Sequence, residues 1–73
     1  MNKELALLDQ IEEIRQKSIE NPPNYTVDHT VREIVAMVAG YFGYKGRSEW
    51  TEELAGYPES NLAKRLSKDR FHI

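Results

Sequence analysis

Residues 29–42 read His-Thr-Val-Arg-Glu-Ile-Val-Ala-Met-Val-Ala-Gly-Tyr-Phe, and this stretch decides the fold of the chain. Its apolar residues recur every three or four positions, which is typical of a helix with one face in a core. Met37 and Tyr41 widen that apolar stripe, so we expect this helix at the centre of the fold, with neighbours on more than one side. Gly43 predicts a left-handed end to the helix. The stripe itself consists of Val31, Ile34, Val35, Val38, Ala39 and Phe42.

A second amphipathic helix is predicted over residues 3–19, with Asn2 as its N-cap. Because the apolar side of such a helix packs into a core, we expect its charged side in solvent. The residues expected to point inward are Leu5, Leu7, Leu8, Ile11 and Ile14. The residues expected on the opposite, solvated side are Asp9, Glu12, Glu13, Arg15 and Lys17.

Pro22 and Pro23 end this helix, because a residue that precedes proline is disfavoured in the α conformation. We therefore predict a flexible or proline-stiffened linker over residues 20–27, followed by Asp28 as the N-cap of the central helix. A short strand pairing near residues 25–27 is the alternative to a purely helical fold.

Two shorter helices are predicted in the last third of the chain. The first covers residues 49–55, is capped by Ser48, and carries Trp50 and Leu54 on one face. The second begins near residues 58–60 and ends near residues 66–67. Four helices of this kind make a small helical domain the expected architecture.

The chain, residues 1–73, is therefore predicted to be a single, mainly α domain of three to four helices around the central helix 29–42, with a frayed tail over 68–73. It has no cysteine and a net charge of −2, an ordinary balance for a soluble protein. No apolar run approaches the roughly 20 residues of a membrane helix, and the N-terminus lacks the apolar core of a signal peptide. We expect a complete small cytoplasmic protein of a bacterial or phage-infected host cell, with no membrane partner.

Catalysis is not predicted, because the residues that it requires are missing from the sequence. The two histidines, His29 and His72, have no partner at metal-ligand spacing, and no cysteine is present. Gly40, Gly43 and Gly46 stand at a helix end and do not form a phosphate-binding loop. No nucleophile elbow occurs. The sequence therefore predicts a protein that is not an enzyme, with no catalytic residue, no metal site and no cofactor.

Partner binding is the function that the remaining residues favour. Aromatic residues cluster around two turns between positions 44 and 57, and tyrosine, tryptophan and arginine dominate the energetic centres of protein interfaces. The last ten residues carry a net charge of +3, in contrast to the acidic body of the chain. Trp50 fits either a core or an interface. The candidate partner-binding residues are Tyr44, Arg47, Trp50, Tyr57, Lys64, Arg65, Lys68 and Arg70.

In size, cysteine-free composition and lack of catalytic residues, the chain resembles small phage-encoded proteins that bind host machinery, including inhibitors of bacterial RNA polymerase. This resemblance implies a regulator that binds a larger protein, with RNA polymerase as one candidate, and so modulates transcription. The first alternative is a minimal helix-turn-helix regulator that binds DNA, since residues 53–55 and 60–66 resemble that motif. The second is a polymerase-accessory or other structural subunit. The sequence leaves the partner and the oligomeric state open.

Overall fold

The computed structural model describes residues 1–70 of the chain, with side chains as far as Lys68. These residues form four helices and contain no strand, which confirms the predicted mainly α class. The helices are α1 (Lys3–Ser18), α2 (Tyr25–Tyr41), α3 (Arg47–Ala55) and α4 (Asn61–Arg70). None of them is long and apolar enough to cross a membrane.

Helices α1 and α3 each contact all three of the other helices, whereas α2 contacts α1 and α3. The predicted helix 29–42 is present as part of α2, with neighbours on two sides, α1 and α3. The apolar arc of α2 is wide, but its neighbours cover only part of it, so that Ile34, Met37 and Tyr41 remain exposed. The buried apolar core comes from all four helices and consists of Leu5, Leu8, Val35, Ala39, Trp50, Leu54 and Leu62.

The ends of α1 and α2 follow from local capping. The Oδ1 atom of Asn2 accepts a hydrogen bond from the Leu5 N–H at 2.7 Å, as predicted for an N-cap. In α2 the cap is Asn24, whose Oδ1 accepts from the Val27 N–H at 3.1 Å. The predicted cap, Asp28, lies instead one turn into the helix. Residues 25–27 therefore belong to α2, and neither the linker nor the alternative strand extends over them.

Gly43 ends α2 as predicted. Its φ angle of 93° lies in the left-handed region, where residues with a Cβ atom are disfavoured. The Gly43 N–H donates to the Gly40 carbonyl and the Tyr44 N–H donates to the Ala39 carbonyl, which is the Schellman arrangement. This turn directs the chain back along α2 and places the start of α3 beside it.

The two short helices begin differently from the prediction. Helix α3 starts at Arg47 after Gly46, so Ser48 lies inside the helix and does not cap it. At the start of α4, the Ser60 hydroxyl accepts from the Ala63 N–H at 3.0 Å and donates to the Leu54 carbonyl at 2.7 Å. Helix α4 extends through Arg70, which includes the first residues of the predicted tail; residues 71–73 lie outside the described residues.

Candidate functional site

A groove between α2 and α3 has a volume of about 310 Å³. Cavities of this size lie at the lower end of the range for ligand sites, so the groove suits one or two side chains of a partner. Its floor is apolar and is formed by Val35, Ala36, Ala39 and Trp50. Its rim is basic and is formed by Arg15, Arg32, Lys45 and Arg47, with Tyr44 beside them.

Three of the predicted partner-binding residues, Tyr44, Arg47 and Trp50, meet at this groove. Trp50 is buried with 2 % of its surface exposed, so it is a core residue that contributes to the floor. The Arg47 guanidinium lies 5.3 Å from the centre of the Trp50 ring, within the range of a cation–π contact. The Tyr44 hydroxyl donates to Glu53 at 3.3 Å, and burial together with the Glu53 charge raises the pKa of Tyr44.

A buried carboxylate, Glu12, holds the rim of the groove in place. Only 1 % of its surface is exposed. Arg47 donates to its two oxygens at 2.6 and 2.9 Å, and Arg15 donates to them at 3.2 and 3.3 Å. Burial alone would raise the pKa of Glu12, but the hydrogen bonds and charges of Arg47 and Arg15 lower it from 4.5 to about 2. Glu12 is therefore ionised at neutral pH and fixes both guanidinium groups.

A second carboxylate, Asp28, connects this network to α2. Arg15 donates to its Oδ1 atom at 2.9 Å, and the Nε atom of Arg32 lies 3.2 Å from Oδ2. Arg32 is 62 % exposed along its side chain and uses only one nitrogen in this contact, so the rest of its guanidinium is available to a ligand. Lys45 forms no ion pair with any of the described carboxylates.

Cationic and acidic side chains both border the groove, and they differ in exposure. Four cationic side chains line it. Glu12 and Asp28 are buried beneath the arginines, and the exposed Glu49 and Glu53 accept hydrogen bonds from the Lys45 backbone N–H and the Tyr44 hydroxyl. The exposed cationic atoms belong mainly to Arg32, Lys45 and Arg47. Such a site favours a negatively charged group with an apolar part next to it, because the guanidinium forks bind a carboxylate or phosphate while the floor excludes water.

The other predicted partner-binding residues lie apart from the groove. Tyr57 packs against the core between α3 and α4 and is only partly exposed. Arg65 contacts Glu13 at 3.4 Å and lies 3.9 Å from Glu12, so it forms part of the internal network. Lys64 and Lys68 are exposed on α4, and the Arg70 side chain lies outside the described residues. The eight residues therefore do not form one continuous surface.

Helix α1 reverses the predicted placement of its side chains. Asp9, Glu12 and Arg15 were expected in solvent and are buried, whereas Leu7 and Ile14 were expected in the core and are exposed. The physical reason is pairing: each buried charge has a partner on another helix. Asp9 accepts from the backbone N–H groups of Asn61 at 2.7 Å and Leu62 at 3.1 Å, and it thereby caps α4 across the core.

A line of exposed residues runs along each of α1 and α2, on the side that faces away from the buried carboxylates. Successive residues of each line are alternately three and four positions apart. In α2 this line is largely apolar, and Met37 and Tyr41 are 71 % and 91 % exposed. We call the ten residues the outer seam: Lys3, Leu7, Gln10, Ile14 and Lys17 on α1, and Val27, Thr30, Ile34, Met37 and Tyr41 on α2.

The roles of four residues in the groove and its network were not predicted from the sequence: Asp9, Glu12, Asp28 and Arg32. One signal was available: Glu12 and Arg15 stand three apart, and both fall on the helical line that contains Leu5 and Leu8. Their long-range partners carry no local signal. Within residues 1–70, no group of three potential ligands could hold a metal ion.

Comparisons with protein-family models, with curated proteins and with solved structures find no match to this chain. The groove, the network of charges beneath it and the outer seam are therefore the features of the chain that bear on its function.

Proposed function

We propose that the chain is a small, non-catalytic regulatory protein that binds a larger protein by receiving an acidic segment of it in the basic groove. One observation carries this proposal: Arg32, Lys45 and Arg47 present cationic groups around an apolar floor. Aspartate or glutamate side chains fit such a site, because a carboxylate pairs with a guanidinium fork while neighbouring apolar atoms cover the floor.

The position of the arginines favours recognition over catalysis. Arg15 and Arg47 are held by Glu12 before any ligand arrives, so little side-chain entropy is lost on binding. Arg32 and Lys45 supply the exposed donors. The transcription machinery, with RNA polymerase first, is the target class that we propose from the resemblance in size and composition. A cytoplasmic location is part of the same proposal.

DNA binding is the hypothesis with less support. The helix pair α3–α4 would have to approach the phosphate backbone, and α3 exposes Glu49, Glu52 and Glu53 next to the basic side of α4. These carboxylates would repel the phosphates. Lys64 and Lys68 provide the exposed positive charge of α4.

Affinity capture from lysate, repeated after nuclease treatment, tests the proposal. The double variant Arg32→Glu/Lys45→Glu reverses two charges at the groove, and Lys64→Glu/Lys68→Glu makes the same change in charge on α4. We expect nuclease-resistant capture of a protein by wild type and by the α4 variant, with loss of that protein in the groove variant. Retention by the groove variant would contradict the proposal, as would loss of all capture after nuclease treatment.

Two other variants test the sequence-based surface. If the sequence-based surface is correct, Arg65→Glu and Tyr57→Ala abolish capture without loss of helical circular dichroism. In the structure Arg65 contacts Glu13 and Tyr57 packs on the core, so both changes also reduce stability. Arg32 and Lys45 are exposed, but Arg32 contacts the buried Asp28 at 3.2 Å, so circular dichroism must also show that the groove variant is folded.

A further inference from the structure

A second cleft lies where the start of α1 meets the end of α2, and we call it the aromatic cleft. Its volume is about 470 Å³. Three of its five lining residues are aromatic, and none of the five carries a positive charge. Two polar residues from the start of α1 complete it. The lining residues are Asn2, Glu4, Tyr41, Phe42 and Tyr44.

The fold holds two of the three aromatic rings in place. Phe42 and Tyr44 pack against the hydrophobic core, and the left-handed turn at Gly43 joins them. The Tyr44 hydroxyl also donates to Glu53 at 3.3 Å. The third ring, that of Tyr41, is exposed at the edge of the cleft. A ligand therefore meets a largely preformed aromatic surface, which reduces the entropy that is lost on binding.

The negative charges near the cleft favour a cationic ligand. Glu4 is exposed and forms no ion pair with the cationic groups of the described residues. The negative end of the α2 dipole also lies here, and the last turn of α2 contains no basic residue. Burial, together with the charges of Glu53, Glu4 and Glu49, raises the pKa of Tyr44, which is the direction expected near carboxylates.

The positive charges near the cleft do not fill it. Lys3 and Lys45 are sequence neighbours of the lining residues, but both are exposed and neither lines the cleft. The N-terminal ammonium lies 3.7 Å from Glu59. The positive end of the α1 dipole borders the cleft, and Glu4 in the first turn of α1 offsets it.

We infer that the aromatic cleft binds an arginine side chain of a partner protein, with its guanidinium against the aromatic rings and paired with the Glu4 carboxylate. Arginine is favoured over lysine, because a guanidinium is more weakly hydrated, stacks on aromatic faces and binds a carboxylate through two nitrogens. The inference does not rest on the proposed function, which concerns the groove between α2 and α3.

The chain uses the same combination of groups inside its own fold. Arg47 lies 5.3 Å from the centre of the Trp50 ring, and its nitrogens donate to Glu12 at 2.6 and 2.9 Å. An aromatic ring, a carboxylate and an arginine thus meet in one contact. At the aromatic cleft the chain supplies the rings and the carboxylate, and the partner supplies the arginine.

Titration of isotope-labelled protein with the blocked tripeptide acetyl-Gly-Arg-Gly-amide, followed by amide chemical shifts, tests the inference. We expect saturable shifts at Tyr41, Phe42 and Tyr44. The matched tripeptide with citrulline in place of arginine has nearly the same shape but no charge, so it should cause no saturable shift there. The tripeptide with lysine should bind at least about twofold more weakly than the one with arginine.

Two variants test the position of the site. Tyr41→Leu and Glu4→Gln should each weaken binding of the arginine tripeptide by about two- to fivefold, the size of an exposed cation–π contact or ion pair. The matched controls are Tyr25→Leu, at an exposed tyrosine at the other end of α2, and Glu52→Gln, at an exposed carboxylate of α3. Both controls should bind as wild type does, and circular dichroism verifies that every variant is folded.

Several results would overturn the inference. One is the absence of saturable shifts with the arginine tripeptide, and another is equal binding of the citrulline tripeptide. Equal losses in the cleft variants and in their controls would also overturn it, because the shifts would then report the charge of the whole chain. Binding of lysine as tight as that of arginine would contradict the assignment to arginine.

Discussion

On the inner side of α1, Asp9 and Glu12 are buried and accept hydrogen bonds from α4 and α3, while on its outer side Leu7 and Ile14 lie in solvent. The inner charges are tolerated because each has a partner, and the partners come from other helices. The outer apolar residues have no partner in the chain. The difference teaches that in this domain paired charges connect the helices together with the apolar core, whereas apolar residues on the outer side of α1 are exposed.

The paired charges on the inner side of α1 also connect this helix to the other three. Arg15 connects Glu12 to Asp28 of α2, Arg47 connects it to α3, and Asp9 caps α4. No buried side-chain nitrogen or oxygen in the described residues lacks a hydrogen-bond partner. A fully paired network of this kind rigidifies the packing, and loss of one member leaves the others without a partner.

Removal of the central carboxylate should have the largest effect. We expect Glu12→Ala to lower the free energy of unfolding by about 3–5 kcal/mol, because Arg15 and Arg47 would lose their shared partner at a buried position. Urea unfolding followed by the fluorescence of Trp50, the only tryptophan, measures this change. The control is Glu13→Ala, a partly exposed carboxylate with one longer contact, which should change stability by less than about 1 kcal/mol. Equal effects of the two variants would contradict the account.

Acid should have the second-largest effect on the free energy of unfolding, through the inner side of α1. The pKa of Glu12 is lowered in the folded chain from 4.5 to about 2, so its contribution is fully present above pH 4.5 and is lost as the pH falls toward 2. The expected contribution is about 3 kcal/mol. Urea midpoints measured from pH 7 down to pH 2.5 should therefore fall more steeply for wild type than for Glu12→Gln. If the urea midpoints of both proteins depend on pH in the same way, the lowered pKa of Glu12 does not contribute to stability.

Loss of the cap across the core should have a smaller effect. Asp9→Ala removes the acceptor for the Asn61 and Leu62 N–H groups, and loss of a helix cap costs about 1–2 kcal/mol. Urea unfolding measures the change, and faster amide exchange at Leu62 would place it at the start of α4. Gln10→Ala, at the next position and in solvent, is the control. Unchanged amide exchange in Asp9→Ala would exclude the proposed cap.

Local sequence predicted much of the fold. The apolar periodicity of α1 and α2, the Asn2 cap and the left-handed Gly43 each depend on residues within one or two turns, and each was predicted. Asp28 was assigned to the cap because an aspartate there is a common signal, but Asn24 offers an equivalent acceptor one turn earlier.

The buried face of α1 could not be predicted from periodicity. Two lines at helical spacing compete on this helix, one through Leu5, Leu8 and Glu12 and the other through Leu7 and Ile14. The first is buried because Arg47, which is 35 residues away, reaches Glu12. The groove shows the same limit: Tyr44, Arg47 and Trp50 are close in sequence and were predicted together, whereas Arg15 and Arg32 reach the groove only through helix packing.

One comparison tests the central claim most directly: Glu12→Gln against Ile14→Gln, by urea unfolding at concentrations where sedimentation shows only monomer. Ile14 is 55 % exposed, so we expect its replacement to change the free energy of unfolding by less than about 1 kcal/mol. Glu12→Gln should lower it by about 3 kcal/mol, since a neutral amide cannot replace the ion pairs. The reverse order, with Ile14→Gln the more destabilising change, would contradict the account.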